Sequence, residues 1–182
     1  MVILDFQLEL HAIEKCSASD LRTADEGFMA ATYFQMPVRF SVDNVELLEL
    51  PINNHGQIHV FIYSPKESTL IPTQQERQSS PWLPLPILDV AVVGLDTLRQ
   101  ALVEGVAIYP FIDYCWHLRF EVLGKDVLVY SKVNGRTARV SHEELLCAFN
   151  EFASKVRNVL RQEAPELNDH PYWGKWLRNE IE

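Results

Sequence analysis

The sequence predicts an α+β fold: a mostly antiparallel sheet, with two main helices packed on one face and a short C-terminal helix. Three short runs of alternating apolar and polar residues lie between residues 116 and 140, as is typical of a β-meander. A helix-capping motif and a long amphipathic pattern follow at once. We expect six to eight strands from residues 2–63 and 116–140, and the main helices near 87–104 and 142–164. The N-terminal strands and the meander should share one core, either as one continuous sheet or as two hairpin units.

The meander is the most strongly marked part of the chain. Its runs are Trp116–Leu123, Val127–Val133 and Arg136–Val140. Gly124-Lys125-Asp126 joins the first two runs, and Asn134-Gly135 joins the last two. Asn-Gly predicts a tight hairpin turn because both residues accept a positive φ.

The helix after the meander has a sequence-level start signal. Ser141 and Glu144 have capping-box spacing, in which the serine hydroxyl accepts from the glutamate amide and the carboxylate reaches back. Val140 and Leu145 stand where a hydrophobic staple would form. The apolar pattern continues for roughly 22 residues, or about 33 Å of helix, until Pro165 stops it.

The sequence pattern in the first third of the chain predicts strands separated by one loop. Alternation over Val2–Leu10 predicts a half-buried strand. Residues 16–27 are small and polar and predict a loop, and Phe28–Gln35 is interpreted as a strand. Pro37 should end this strand or place it at an edge.

A second hairpin is expected next. Val38–Val42 alternates, and Asp43-Asn44 offers a tight turn into Val45–Leu50. Ile58–Tyr63 is apolar on both faces, which favours a central strand.

Residues 64–86 are interpreted as a long Pro/Ser/Gln-rich loop inside a single domain of residues 1–182. The segment contains five prolines and has no periodicity, so it should be the most mobile internal part. Apolar residues then recur at helical spacing up to residue 104, which predicts a helix near 87–104. Gly105 lies just past its expected end. Residues 168–177 predict a capped short helix with an aromatic face.

Composition bounds the classes of function. The 182 residues carry a net charge of −9, and residues 1–60 hold nine acidic and three basic side chains, a balance of −6. No basic patch indicates nucleic-acid binding. No apolar run approaches the roughly 20 residues that span a membrane. The first residues lack a basic signal-peptide region, and three widely spaced cysteines favour a reducing compartment, so we expect a cytoplasmic protein.

One set of residues has the composition of a catalytic site. Asp113, Cys115 and His117 are two apart, so a strand would present all three on one face. Same-face neighbours stand about 6.5 Å apart along a strand, which is too far for a base to activate a nucleophile. We therefore interpret them as packing residues and expect no catalytic residues.

Six histidines could supply a metal site, but no cysteine joins them in a ligand motif. His11, His59 and His117 would converge only if their strands were neighbours. Surface or edge positions are the preferred interpretation, and neither a metal nor another cofactor is expected.

Aromatic side chains are the best binding candidates, because their apolar bodies and polar tips suit protein interfaces. Those proposed to contact a partner are Trp82, Tyr172, Trp173 and Trp176. The alternative is that the tail aromatics fold back on the long helix and cover the core.

Four stretches carry a family resemblance. They are VDNVELLEL (42–50), LPLPILDVA (83–91), VSHEELLCAFNEFASKVRNVL (140–160) and APELNDHPYWGKW (164–176). In these stretches, about a third of its length, the chain resembles a group of uncharacterised small bacterial α+β proteins of unknown function. In size and charge it is similar to bacterial immunity proteins, which neutralise toxins by binding them. The resemblance implies no catalytic residue.

These observations favour a non-enzymatic binding or interaction protein with an immunity-like role, which uses an acidic surface and exposed aromatics. Its partner would be a protein with a basic surface, and formation of a homo-oligomer is left open. The alternative is a small-molecule-binding or enzymatic α+β protein with a cleft between sheet and helix. A polar pocket in that interface would favour the alternative, and a solid core would favour the binding protein.

Overall fold

The computed structural model describes residues 1–14, 17–50, 57–64, 69–76, 81–111 and 116–181, with the backbone alone for 11, 14, 31, 57–64 and 69–76. Within these residues the chain has the predicted α+β fold, and every strand pairing is antiparallel. The strands are β1 (Val2–Phe6), β2 (Gln35–Val42), β3 (Val45–Glu46), β4 (Gln57–Ser64), β5 (Thr69–Glu76), β6 (Trp82–Pro86), β7 (Val106–Pro110), β8 (His117–Leu123), β9 (Asp126–Ser131) and β10 (Thr137–Ser141). The helices are α1 (Leu10–Glu14), α2 (Ala18–Thr23), α3 (Glu26–Thr32), α4 (Ile87–Asp89), α5 (Leu95–Glu104), α6 (His142–Glu163) and α7 (Trp173–Leu177). A π-helical segment, Val90–Gly94, joins α4 to α5, and a 3-10 helix, Pro165–Asp169, precedes α7.

The first sheet is built around β2. Strand β1 pairs with one edge of β2, and β6 and β3 pair with the other. Alternate residues of β2 are buried: Met36, Val38, Phe40 and Val42. Pro37 lies inside this strand, directly opposite Pro84 of β6. Neither proline has an N–H to donate, so pairing them leaves the rest of the ladder intact.

The second sheet contains the predicted meander, with strand order β10-β9-β8-β7. Gly124 and Lys125 form a two-residue turn between β8 and β9, and Gly124 has a φ of 66°. The link between β9 and β10 is longer than predicted. Gly135 has a positive φ of 73° and Asn134 does not, so the turn is not the two-residue form that Asn-Gly favours.

The turn after β2 does have the predicted tight form. Asp43 and Asn44 both have positive φ, 47° and 66°, and Val42 pairs with Val45 across the turn. This geometry matches the twist of the two strands.

Helix α6 begins at His142 with Ser141 as its N-cap, as predicted. The Ser141 hydroxyl accepts from the Glu144 amide at 3.2 Å. The Glu144 carboxylate does not reach back as in a full capping box, since it lies 3.0 Å from the Met1 ammonium.

One hydrophobic core contains residues of both sheets, which confirms the expected shared core, and the strands form separate sheets. The ring of Phe149 on α6 packs against Phe40 of the first sheet at 5.8 Å and against Phe120 of the second at 5.9 Å. Phe152, one turn further on, packs against Phe6 at 5.5 Å. Helix α6 is therefore the element that covers both sheets.

Three predictions for the first half of the chain are wrong. Phe28–Gln35 is not a strand, because α3 occupies Glu26–Thr32 and β2 begins at Gln35. Much of the expected 16–27 loop is helix α2. Strand β4 is not central, since within the described residues it pairs only with β5.

The predicted 64–86 loop also contains two strands, β5 and β6. The prolines misled the prediction, because Pro72 and Pro84 lie within these strands. Residues 65–68 and 77–80 lie outside the described residues, and the expected mobility stays a prediction. None of the helices in the described part of the chain is both long and apolar enough to cross a membrane.

Candidate functional site

The C-terminal tail, Pro165–Ile181, is held by a buried histidine. His170 is 5% exposed, so its predicted surface position is wrong. Its Nε2 atom lies 2.8 Å from the carbonyl oxygen of Ala24, in the link between α2 and α3. Its Nδ1 atom accepts from the backbone amides of Tyr172 and Trp173, at 3.2 and 3.1 Å. Because Nδ1 accepts in these contacts, Nε2 is the ring nitrogen that donates to the Ala24 carbonyl oxygen.

The two tail tryptophans are buried. Trp173 and Trp176 are each 2% exposed, and their rings make an edge contact at 5.7 Å. Their burial agrees with the packing alternative, and they are not exposed aromatics available to a partner. They were predicted to contact a partner because a cluster of aromatic residues in the sequence is equally typical of a segment that covers the core and of an interface.

Tyr172 is the tail aromatic that remains at the surface. It is half-buried, and its ring meets Trp173 edge-on at 5.0 Å. Burial raises the pKa of the Tyr172 phenol, and the negative charges of Glu26 and Asp96 raise it further. The fold thus places the Tyr172 phenol within electrostatic range of two carboxylates, from α3 and α5. We call these three residues the acidic tyrosine site.

The carboxylate of Glu26 forms no ion pair with any described residue, whereas Asp96 has Arg99 at 3.5 Å. Phe28 lies two residues beyond Glu26 on α3 and is 56% exposed, with its ring 6.0 Å from that of Tyr33. Residues two apart point to different sides of a helix, so Phe28 lies on a different side of α3 from Glu26.

Trp82 lies on strand β6, opposite Arg39 of β2, and is half-buried. It is thus on a different element from the tail residues with which it was grouped.

The Asp113–Cys115–His117 set cannot be compared with the structure, because Asp113 and Cys115 lie outside the described residues. His117 begins β8 and is half-buried, with its ring 6.4 Å from that of Tyr130. Burial, and then the charge of Lys132, lower the pKa of His117.

Cys147 is exposed on α6, and its thiol donates to Glu151 at 3.4 Å. The Glu151 carboxylate raises the pKa of this thiol, which disfavours the nucleophilic thiolate.

No group of three histidine, cysteine or acidic side chains within the described residues could hold a metal ion. The side chains of His11 and His59 lie outside that description, as does the whole of His55. His55 and His59 have four-residue spacing, which places two ligands together on a helix, but His59 lies on strand β4.

A buried polar pair was missed by the sequence analysis. The Tyr109 hydroxyl donates to Asp89 Oδ2 at 2.6 Å, and both residues are at least 98% buried. Burial, and then the charge and hydrogen bond of Asp89, hold the pKa of Tyr109 well above its ordinary value. Asp89 immediately precedes the π-helical segment, a type of helix defect that is frequent at functional sites. Gly94 ends this segment, where an added Cβ would lie 3.2 Å from Phe149.

Comparisons of the chain with protein-family models, with curated proteins and with solved structures give no match. The resemblance to the group of small bacterial α+β proteins therefore stays a prediction.

Proposed function

We propose that this protein acts without catalysis, by binding a protein with a basic surface at the acidic tyrosine site. The observation that carries the proposal is that the charges of Glu26 and Asp96 act on the half-buried Tyr172, while the Glu26 carboxylate is unpaired among the described residues. A tyrosine within electrostatic range of two carboxylates offers hydrogen bonds, ring surface and negative charge to a lysine or arginine side chain.

The packing beneath α6 supports binding over catalysis. Phe149 fills the space between Phe40 and Phe120, and Phe152 packs against Phe6. The interface between sheet and helix is thus filled by aromatic rings where the alternative function requires a polar cleft.

Charge decides the kind of partner. The chain carries −9 overall, and nine of its acidic residues lie within residues 1–60. A basic partner would be attracted at long range and would associate faster at low salt. A second copy of this chain is a poorer match, because the same negative charges would face each other.

An immunity-like role is the specific form of this proposal: the chain would bind and neutralise a basic toxin in the cytoplasm. The natural candidate is a toxin encoded beside it in its genome. Measuring growth of cells that express the toxin with and without this chain tests the role, and failure to restore growth would contradict it.

The surface is tested by calorimetric titration of that toxin with the double variant Glu26→Gln/Asp96→Asn. Exposed ion pairs contribute about 0.2–1 kcal/mol each, so we expect the dissociation constant to rise about three- to tenfold and its salt dependence to weaken. Glu104→Gln/Glu163→Gln removes the same charge from two exposed helix ends and should leave binding unchanged. Equal effects of the two double variants would show that only net charge matters.

A further inference from the structure

A cleft of about 260 Å³ lies between the α4–α5 helical stretch, α6 and the C-terminal tail. Ala91 and Val92 of the π-helical segment form part of its wall with Leu95, and Ser154, Arg157 and Trp176 form part of the opposite side. Pockets for drug-sized ligands have volumes of roughly 300–1,000 Å³, so this cleft suits a smaller molecule. It is separate from the solid interface beneath α6.

Arg157 is the side chain that makes the cleft unusual. Its guanidinium carbon lies 4.5 Å from the centre of the Trp176 ring. Its Nε atom is buried and has no hydrogen-bond partner, and no described carboxylate pairs with the guanidinium. Burial, and then the charge of Arg161, lower the pKa of Arg157, so its surroundings do not compensate its charge. Burying part of a guanidinium costs free energy, and an anion that accepts from its N–H groups offsets that cost.

The remaining charges of the cleft balance. Asp96 and Arg99 both line it and lie 3.5 Å apart, which leaves the charge of Arg157 uncompensated. One anionic charge in a ligand would therefore neutralise the cleft. Leu95, Val92 and Ile181 offer apolar surface to the rest of such a ligand.

We infer that this cleft binds a small organic monoanion, a carboxylate with a short apolar body, whose oxygens accept from the guanidinium of Arg157. The planar guanidinium of an arginine can donate two parallel hydrogen bonds to one carboxylate, which a lysine ammonium cannot do. The apolar body would lie against Val92 and Leu95. This inference concerns a different ligand from the protein-binding proposal and depends on Arg157, although Asp96 belongs both to the cleft and to the acidic tyrosine site.

The test is an NMR titration of the full chain with benzoate, which follows the Arg157 Nε–H and Trp176 indole N–H signals. We expect saturable shifts of both signals. Benzamide, a neutral molecule of the same shape, should bind at least tenfold more weakly, and equal binding would overturn the inference. Inorganic phosphate should also bind more weakly, and tighter binding of phosphate would overturn the assignment of an apolar-bodied ligand.

Two variants locate the site. Arg157→Gln should weaken benzoate binding at least tenfold, and Arg119→Gln, at an exposed position of β8, should leave it unchanged. Val92→Phe keeps Arg157 but narrows the cleft, so it should also abolish benzoate binding. This variant provides the test if Arg157→Gln fails to fold. Unchanged binding in a folded Val92→Phe variant would exclude the cleft.

Discussion

The Nε2 atom of His170 lies 2.8 Å from the carbonyl oxygen of Ala24 and joins the C-terminal tail to the link between two N-terminal helices. The other ring nitrogen holds the first amides of the segment that leads into α7. One imidazole thus fixes the start of a helix and the place where that helix packs.

Replacing His170 should therefore destabilise the protein. In His170→Ala, two amides and one carbonyl lose their partner in a buried site, so we expect a loss of about 2–3 kcal/mol in the free energy of unfolding. His170→Asn keeps an acceptor near the position of Nδ1 and should lose less. Urea denaturation followed by tryptophan fluorescence measures both variants. An unchanged midpoint for His170→Ala would contradict the role of the imidazole.

Asn134 should matter more than its exposed turn suggests. Its Nδ2 donates to the carbonyl oxygens of Glu46 and Glu49, at 2.9 and 3.0 Å, and its Oδ1 accepts from the Arg136 amide at 3.0 Å. Asn134→Asp would place a carboxylate against two carbonyl oxygens, and we expect a cost of about 2 kcal/mol in urea denaturation. Arg136→Gln removes the ion pair with Glu49 and the exposed guanidinium's hydrogen bond to the Glu46 carbonyl oxygen, and it should cost less than about 1 kcal/mol. Equal costs would mean that charge, not the amide, holds this turn.

The buried Tyr109–Asp89 pair predicts a dependence on alkaline pH. The folded state holds the pKa of Tyr109 well above its ordinary value, whereas an unfolded tyrosine ionises near pH 10. This contribution to stability is therefore fully present below about pH 10, and it is lost as the pH rises further.

Tyr109→Phe tests this dependence. The variant should be less stable at neutral pH by about 1–3 kcal/mol, because a buried carboxylate loses a donor. Above about pH 10 the difference from wild type should narrow, since only wild type loses stability through this group. Urea denaturation from pH 8 to pH 11 measures the difference, and a constant value would contradict the prediction.

Ser141→Ala should cost about 1 kcal/mol in the free energy of unfolding, because the Glu144 amide loses its acceptor at the start of the main core helix. Ser154→Ala is the matched control, because Ser154 is an exposed residue in the interior of the same helix. A loss of stability as large in the control would show that the serine at the helix start has no special role.

The predictable parts of this fold are those with local causes. The Asp43-Asn44 turn, the Ser141 cap and the glycine at position 105, which has a φ of 90°, follow from a few neighbouring residues. Helix α3 also has a local cause, since Asp25 accepts from the amides of Gly27 and Phe28. That cap was missed because Phe28, Tyr33 and Phe34 gave the segment a strand-like composition.

The candidate site was predictable only in part. Tyr172 was selected as an interface aromatic, but its neighbours Glu26 and Asp96 come from distant helices, and no local pattern connects them. The burial of Trp173 and Trp176 depends on where the tail packs, which His170 and Ala24 determine together. The uncompensated charge of Arg157 also depends on tertiary packing, because no described carboxylate lies close enough to pair with it.

Phe149 has a consequence for how the chain acquires its structure. Its ring contacts Phe40 and Phe120, so neither sheet can complete its interior before residues 142–163 have been synthesised and have docked. Contacts between distant parts of a chain are costly in loop-closure entropy and slow folding. On the ribosome, the apolar faces of both sheets would stay uncovered until late in translation, which is the interval in which a chaperone would engage them.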